Sequence, residues 1–234
     1  MTRTAAARPS SRRDRWIVAG LLVLTVVPVT AGIVRLVTLP AGVRLAPEDE
    51  RYFDSPVPLV LHVVAIIPFA VLGALQFLPG LRRRRRWHRV SGRIVAPSGI
   101  FAALTGLWMT LFYPRTPYDS DLLTAIRVVV SSAMLVALAL GIRAILRRDF
   151  VHHRAWMIRG YALGMGAGTQ VITLLPLTVA SGTPTALPRA LLMGLAWAIN
   201  VAVAEWVIRR PARRRRKPSR RAAVAPVPAG AVAR

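Results

Sequence analysis

The chain has 234 residues, 54% of them hydrophobic, and its 33 Lys and Arg against 9 Asp and Glu give a formal net charge of +24. That hydrophobic share, with a mean hydropathy of +0.48, excludes an ordinary soluble domain and points to a bilayer. The absence of cysteine removes disulfides, thiolate metal sites and cysteine nucleophiles, and arginines grouped in blocks without interleaved aromatics argue against a nucleic-acid surface.

In chain order, a basic tail over residues 1–15 precedes the first apolar run, 16–39. That run is too long for a signal-peptide core, and no small-x-small cleavage site closes it, so it is expected to be a retained span. Five more segments reach the roughly 20 apolar residues that a helix needs to cross hydrocarbon, at 58–81, 94–113, 122–146, 155–178 and 189–209. Turn chemistry separates several of them, as in Leu39-Pro40-Ala41-Gly42 and Ser181-Gly182-Thr183-Pro184. Pro28, Pro68, Pro97 and Pro176 lie inside spans and invite kinks without splitting them. The stretch 210–234 is low in complexity and rich in Arg, and is expected to be a disordered polybasic tail. The predicted fold class is therefore all-α, a polytopic transmembrane bundle of six spans over 16–209.

Of the 33 Lys and Arg, 27 fall in the N-terminal tail, the 82–93 loop, the 143–159 turn and the stretch from Arg209 onward. The positive-inside bias puts that side in the cytoplasm, with both termini inside. The opposite loops hold Arg44, Arg51, Arg115, Arg127 and Arg189, offset by Glu48, Asp49, Glu50, Asp54, Asp119 and Asp121. The Ala, Arg and Pro richness suggests a high-GC bacterial gene, and with it a bacterial cytoplasmic membrane. Expected partners are membrane lipids, with anionic headgroups at the arginine clusters. Self-association into a homo-oligomer is a further expectation, and nucleic acid is not one.

Candidate chemistry rests on the histidines. On the second span His62, Gly73 and Gln76 share a narrow stripe, because 11 and 14 helical steps return to within about 40° of the start. An ionisable group inside a span is a functional candidate, and an interfacial hydrogen bond is the alternative for His62. The first Arg-rich loop ends in Trp87-His88-Arg89-x-x-Gly92-Arg93, which puts an aromatic anchor and a titratable ring at the mouth of the third span. The second turn, Asp149 to Arg159, contains His152 and His153. Helical spacing puts His153 with Met157 and Gly160 toward the packed interior, and His152 with Trp156 and Arg159. Gly160, Gly164 and Gly168 form a small-xxx-small stripe suited to helix packing. Glu205, near the end of the sixth span, is expected to pair with an arginine, beside scattered polarity at Thr169, Gln170, Thr173 and Asn200. No Ser-His-Asp set, HExxH, P-loop or paired carboxylates occur, so no catalytic residue can be named.

Three pieces taken together, His62 with Gln76-Phe77, then His88-Arg89-x-x-Gly92-Arg93, then His153-Arg154-x-Trp156-Met157-x-Arg159, resemble a bacterial predicted membrane-protein family known as domain of unknown function 2306. The resemblance covers roughly residues 58–180 and implies an integral membrane protein without supplying an activity. A looser likeness is to six-span b-type haem reductases, in which facing histidines hold haem. His88 and His153 both fall at the cytoplasmic end and can jointly ligate one haem iron, the single metal expected. His62 has no histidine partner at the other end, which leaves no second haem. One hypothesis is thus a redox protein holding one haem b or a quinone with His88, His153, Arg89, Arg93 and Arg154. Alternatives are a transporter or small-ligand binder using the polar stripe of His62 and Gln76, and a non-catalytic structural or assembly protein.

Overall fold

A computed structural model describes residues 12–210; the tail 211–234 and residues 1–11 lie outside the described residues. The helices are α1 (Arg12–Thr38), α2 (Glu50–Asp54), α3 (Pro56–Leu75), α4 (Pro79–Arg83), α5 (Arg85–Phe112), α6 (Asp121–Leu146), α7 (Phe150–Gly164), α8 (Gly166–Ser181) and α9 (Ala186–Arg209). A single 3-10 turn, Pro47–Asp49, precedes α2, and no strand occurs among the described residues. Helices α1, α3, α5, α6 and α9 are each long and apolar enough to cross a membrane, and α7 with α8, bent by 41° at their junction, passes the same test when the pair is taken together, which makes five spans or six. In a bilayer an open backbone cannot be solvated, so a chain of this hydropathy satisfies its amides within helices.

Neighbouring spans close a ring. α1 packs on α3 and α8, α3 on α5, α5 on α6, α6 on α7 and α9, and α8 on α9. α7 also touches α3, α5 and α9, so it occupies the middle. Because lipid is as apolar as the side chains, close packing and interhelical hydrogen bonds hold such a bundle, and small residues let helices approach. Phe69, only 1% exposed, fills a slot left by two glycines. A Cβ on Gly99 would stand 2.5 Å from its ring and one on Gly164 2.4 Å from it. Around it cluster Ala70, Ala74, Val95, Met134, Leu138 and Tyr161. The glycine stripe serves three different neighbours: Gly160 receives Leu138 of α6, Gly164 receives Phe69 of α3, and Gly168 receives the Leu24 carbonyl of α1.

Two differences from the sequence expectation have physical causes. The Arg-rich stretch 82–93 is helical rather than loop, since α4 and the first turns of α5 run through it. Arginine is a good helix former, and 28 residues in α5 give roughly 42 Å, long enough to carry charged turns out into the headgroups. The fifth span is not one helix over 155–178, and its break falls at Met165 while Pro176 sits inside α8. Partners on α9 satisfy carbonyls at the break. Trp197 Nε1 donates to the Leu163 carbonyl at 3.1 Å and Asn200 Nδ2 to the Ala162 carbonyl at 3.1 Å. Thr169 donates to Asn200 Oδ1 at 2.8 Å, and only glycine fits at 166, where a Cβ would lie 2.0 Å from Trp197 Nε1. The bend is therefore braced from α9 rather than left as a free hinge.

The acid-bearing connections meet at one end of the bundle. Asp49 accepts from Arg35 of α1 and from the Leu45 and Ala46 amides at 2.9 and 3.0 Å. Burial pushes its carboxyl up, and these three donors outweigh that and hold it below the ordinary value. Asp119 behaves alike: burial opposes ionisation, while Thr116 and Arg127 donors hold the carboxyl down. Arg127 approaches it at 2.8 Å and Arg51 at 3.7 Å. Tyr113 donates to the Ser55 carbonyl at 2.6 Å, tying the end of α5 to the start of α3.

Candidate functional site

At the opposite, arginine-rich end a cavity of about 320 Å³ opens between α3, α5 and α7. Its apolar depth is formed by Phe69, Val95, Met157, Ile158 and Tyr161, its middle by Gly73, Gln76 and Phe77, and its mouth by Arg82, His88, Phe150, His153 and Arg154. The connectivity explains the convergence. α5 and α7 both begin at this end, so residues near their starts, His88 and His153, reach the same space although 65 positions separate them.

The two rings are held differently. Nδ1 of His153 donates to the Gly141 carbonyl of α6 at 2.8 Å. A carbonyl only accepts, so in the neutral ring Nδ1 carries the proton and Nε2 keeps its lone pair. Glycine at 141 makes this reach feasible, because a Cβ there would stand 2.9 Å from the Met157 sulfur. His88 is near enough to interact electrostatically with both His153 and Arg82. Its Nδ1 is buried and has no hydrogen-bond partner among the described residues. An unmade bond in a buried ring costs on the order of 1–3 kcal/mol, which marks the group as one that seeks a partner.

Among the described residues no carboxylate lines the cavity. Glu205 of α9 is engaged by Arg159 at 2.6 Å and Arg209 at 3.3 Å. Asp149 caps α7 through the His152 amide and also meets the His152 ring at 2.7 Å; the amide bond chiefly holds its carboxyl below the ordinary value. The cavity thus has two guanidiniums and two imidazoles over an apolar, aromatic floor.

Of the residues singled out from sequence, His88, His153, Arg154, Gly73 and Gln76 line this cavity. Arg89 and Arg93 are exposed and stay outside it, and Arg89 Nε donates to its own helix at the Arg85 carbonyl. His62 is also elsewhere. Its Nδ1 donates to the Ala102 carbonyl of α5 at 2.9 Å, with Thr105 Oγ1 at 3.1 Å, which makes it a clamp between α3 and α5. The stripe of His62, Gly73 and Gln76 is divided because the cavity occupies only the last turns of α3. Arg82 and Tyr161 were not singled out for this site. Tyr161 lies eight residues after His153 on the same helical face, so the i, i+4, i+8 spacing through Met157 is the signal that leads to it.

Fold and cavity define a polytopic helical membrane protein with a ligand-sized internal space at one end. The family described as predicted membrane protein (DUF2306) matches residues 59–208, and the chain belongs to it. The matched region contains every cavity-lining residue and excludes α1. No curated protein and no solved structure matches the chain.

Proposed function

We propose that this protein binds one b-type haem in the cavity between α3, α5 and α7 and takes part in a membrane redox reaction at its arginine-rich end. The convergence of His88 and His153 on one cavity with Arg82 and Arg154 carries this reading. His153 has an Nε2 lone pair that would ligate iron, and its opposite nitrogen donates to a backbone carbonyl, as histidine ligands of metals do. Arg82 and Arg154 suit propionate carboxylates, which guanidinium binds through paired hydrogen bonds. Phe69, Tyr161 and Val95 give a macrocycle apolar walls, and the volume falls within the roughly 300–1,000 Å³ typical of cofactor sites. Haem, when bound, supplies one-electron chemistry. The chain's own residues bind it, orient it and exclude water.

Protein extracted from haem-replete membranes is expected to show a Soret band that shifts on dithionite reduction; a colourless preparation overturns the haem reading. A quinone is the second reading, favoured by the buried, unpartnered Nδ1 of His88, which suits a quinone oxygen. Extractable quinone in a colourless preparation, lost in His88→Ala, selects it.

The same reading takes the arginine-rich end as cytoplasmic in a bacterial inner membrane, with anionic headgroups against the exposed arginines, as the positive-inside bias favours. Because the chain has no cysteine, single-cysteine variants report sidedness without background. Ser181→Cys is expected to react with an impermeant thiol reagent added outside cells, and Arg84→Cys only after lysis. The reverse pattern overturns the orientation.

A further inference from the structure

Resting on the haem reading, we infer that the two histidines of the cavity are unequal: His153 is the fixed ligand, and His88 is replaceable by a small neutral ligand of the carbon monoxide type. His153 is fixed at both ends of its side chain. Its backbone amide lies in the first turns of α7, bonded to the Asp149 carbonyl at 3.0 Å, and its ring nitrogen is bonded to Gly141 on a second helix at 2.8 Å. That bond sets the tautomer and limits ring rotation, leaving Nε2 as the donor. α6 and α7 press together at this point, with Gly141 against Met157 and Trp156, so the carbonyl cannot drift away from the ring.

His88 shares the backbone anchor, its amide being bonded to the Arg84 carbonyl at 3.0 Å, but its ring has no counterpart to the Gly141 bond. Its Nδ1 is shielded from water and meets no acceptor among the described residues. The neighbouring Gln76 amide nitrogen is engaged by Ser91 Oγ at 3.2 Å, and Ser91 in turn donates to the Trp87 carbonyl at 2.8 Å. Among the described residues no hydrogen bond fixes the His88 tautomer or its ring orientation. An outer hydrogen bond of the kind His153 has is typically worth about 10–100-fold in metal affinity. Of two imidazoles competing to stay bound, the one without that support leaves first. The exchange is a simple substitution in which one neutral nitrogen donor departs and one neutral ligand enters, with no electron or proton transferred.

The test uses full-length protein purified in detergent from haem-replete cells, with carbon monoxide as probe. His88→Ala is expected to retain at least half the wild-type haem and to bind carbon monoxide at least 10-fold more tightly after reduction, because the competing ring is gone. His153→Ala is expected to retain less than a tenth. The carbon monoxide adducts of wild type and His88→Ala should share one Soret maximum, because His153 would be the protein's ligand in both. This last comparison stands whether or not His153→Ala folds. Equal haem loss in the two alanine variants, or distinct adduct maxima, overturns the inequality and leaves the haem reading intact. Wild-type protein without haem overturns the haem reading itself, and the inequality with it.

Discussion

The two ends of the bundle carry arginine in opposite company. At one end Arg35 meets Asp49, Arg44 meets Glu50, Arg115 meets Asp121, and Arg51 and Arg127 share Asp119. At the other, Arg82 and Arg154 face a cavity without a carboxylate, next to two histidines. The first end spends its charges on joining helices to loops. At the second, Arg159 and Arg209 meet Glu205, while among the described residues no carboxylate stands in the cavity with Arg82 and Arg154. The same side chain thus joins elements of the fold where a carboxylate meets it, whereas Arg82 and Arg154 are exposed at the cavity mouth.

This contrast can be broken by mutation, and the largest effect is expected at the paired end. Asp119 is 8% exposed and serves two guanidiniums, so Asp119→Asn leaves both without their anion. A loss of about 3 kcal/mol is expected from removing one partner of a buried pair, read as a lowered melting temperature in detergent. Arg86→Gln at the other end, on an exposed residue, is expected to stay within about 0.5 kcal/mol. Equal destabilisation by the two variants would erase the distinction between the ends.

Acid sharpens the same comparison. Asp49 and Asp119 have carboxyls held below their ordinary value, so they stabilise the fold fully at pH above the unfolded value. That contribution is lost as pH falls through the lower, folded value. Melting between about pH 5 and pH 2 should therefore drop steeply in wild type. The double variant Asp49→Asn/Asp119→Asn should start lower and fall less; a parallel fall places the acid-sensitive groups elsewhere.

Smaller still is the effect expected at His62. His62→Ala removes one interhelical hydrogen bond, worth about 0.6–2 kcal/mol in a membrane bundle, and should leave ligand content at the cavity unchanged. His88→Ala should do the reverse, changing ligand binding with little change in the melting of the ligand-free protein. Loss of ligand in His62→Ala would move the site to include the α3–α5 clamp.

Much of this was legible beforehand, for reasons that differ by residue. Helical periodicity alone put His153 with Met157 on an inward face and paired Gly73 with Gln76. It also grouped His62 with them, since periodicity knows the face but not how far along that face a cavity extends. Arg89 and Arg93 were grouped with His88 because they adjoin it in sequence, yet on a helix adjacent residues point apart by about 100°. Arg82, on a separate short helix, points in from a different backbone, and no periodicity links it to His88. The break at Met165 was hidden because the proline at 176 is the stronger local signal. The actual cause is long-range, namely Trp197 and Asn200 supplying donors to carbonyls that a continuous helix would have used.

By itself the sequence determined that the chain is an all-helical membrane protein, where its apolar spans fall, and which end of the bundle holds the surplus of arginine. Those properties follow from local hydropathy and charge, and each is readable within a window of some twenty residues. Only the tertiary structure decided that His88 and His153 share a cavity while His62 joins two helices, and that the glycine stripe meets three different neighbours. Which faces meet depends on side chains far apart in sequence fitting one another, as Phe69 fits between Gly99 and Gly164, and no single segment carries that information.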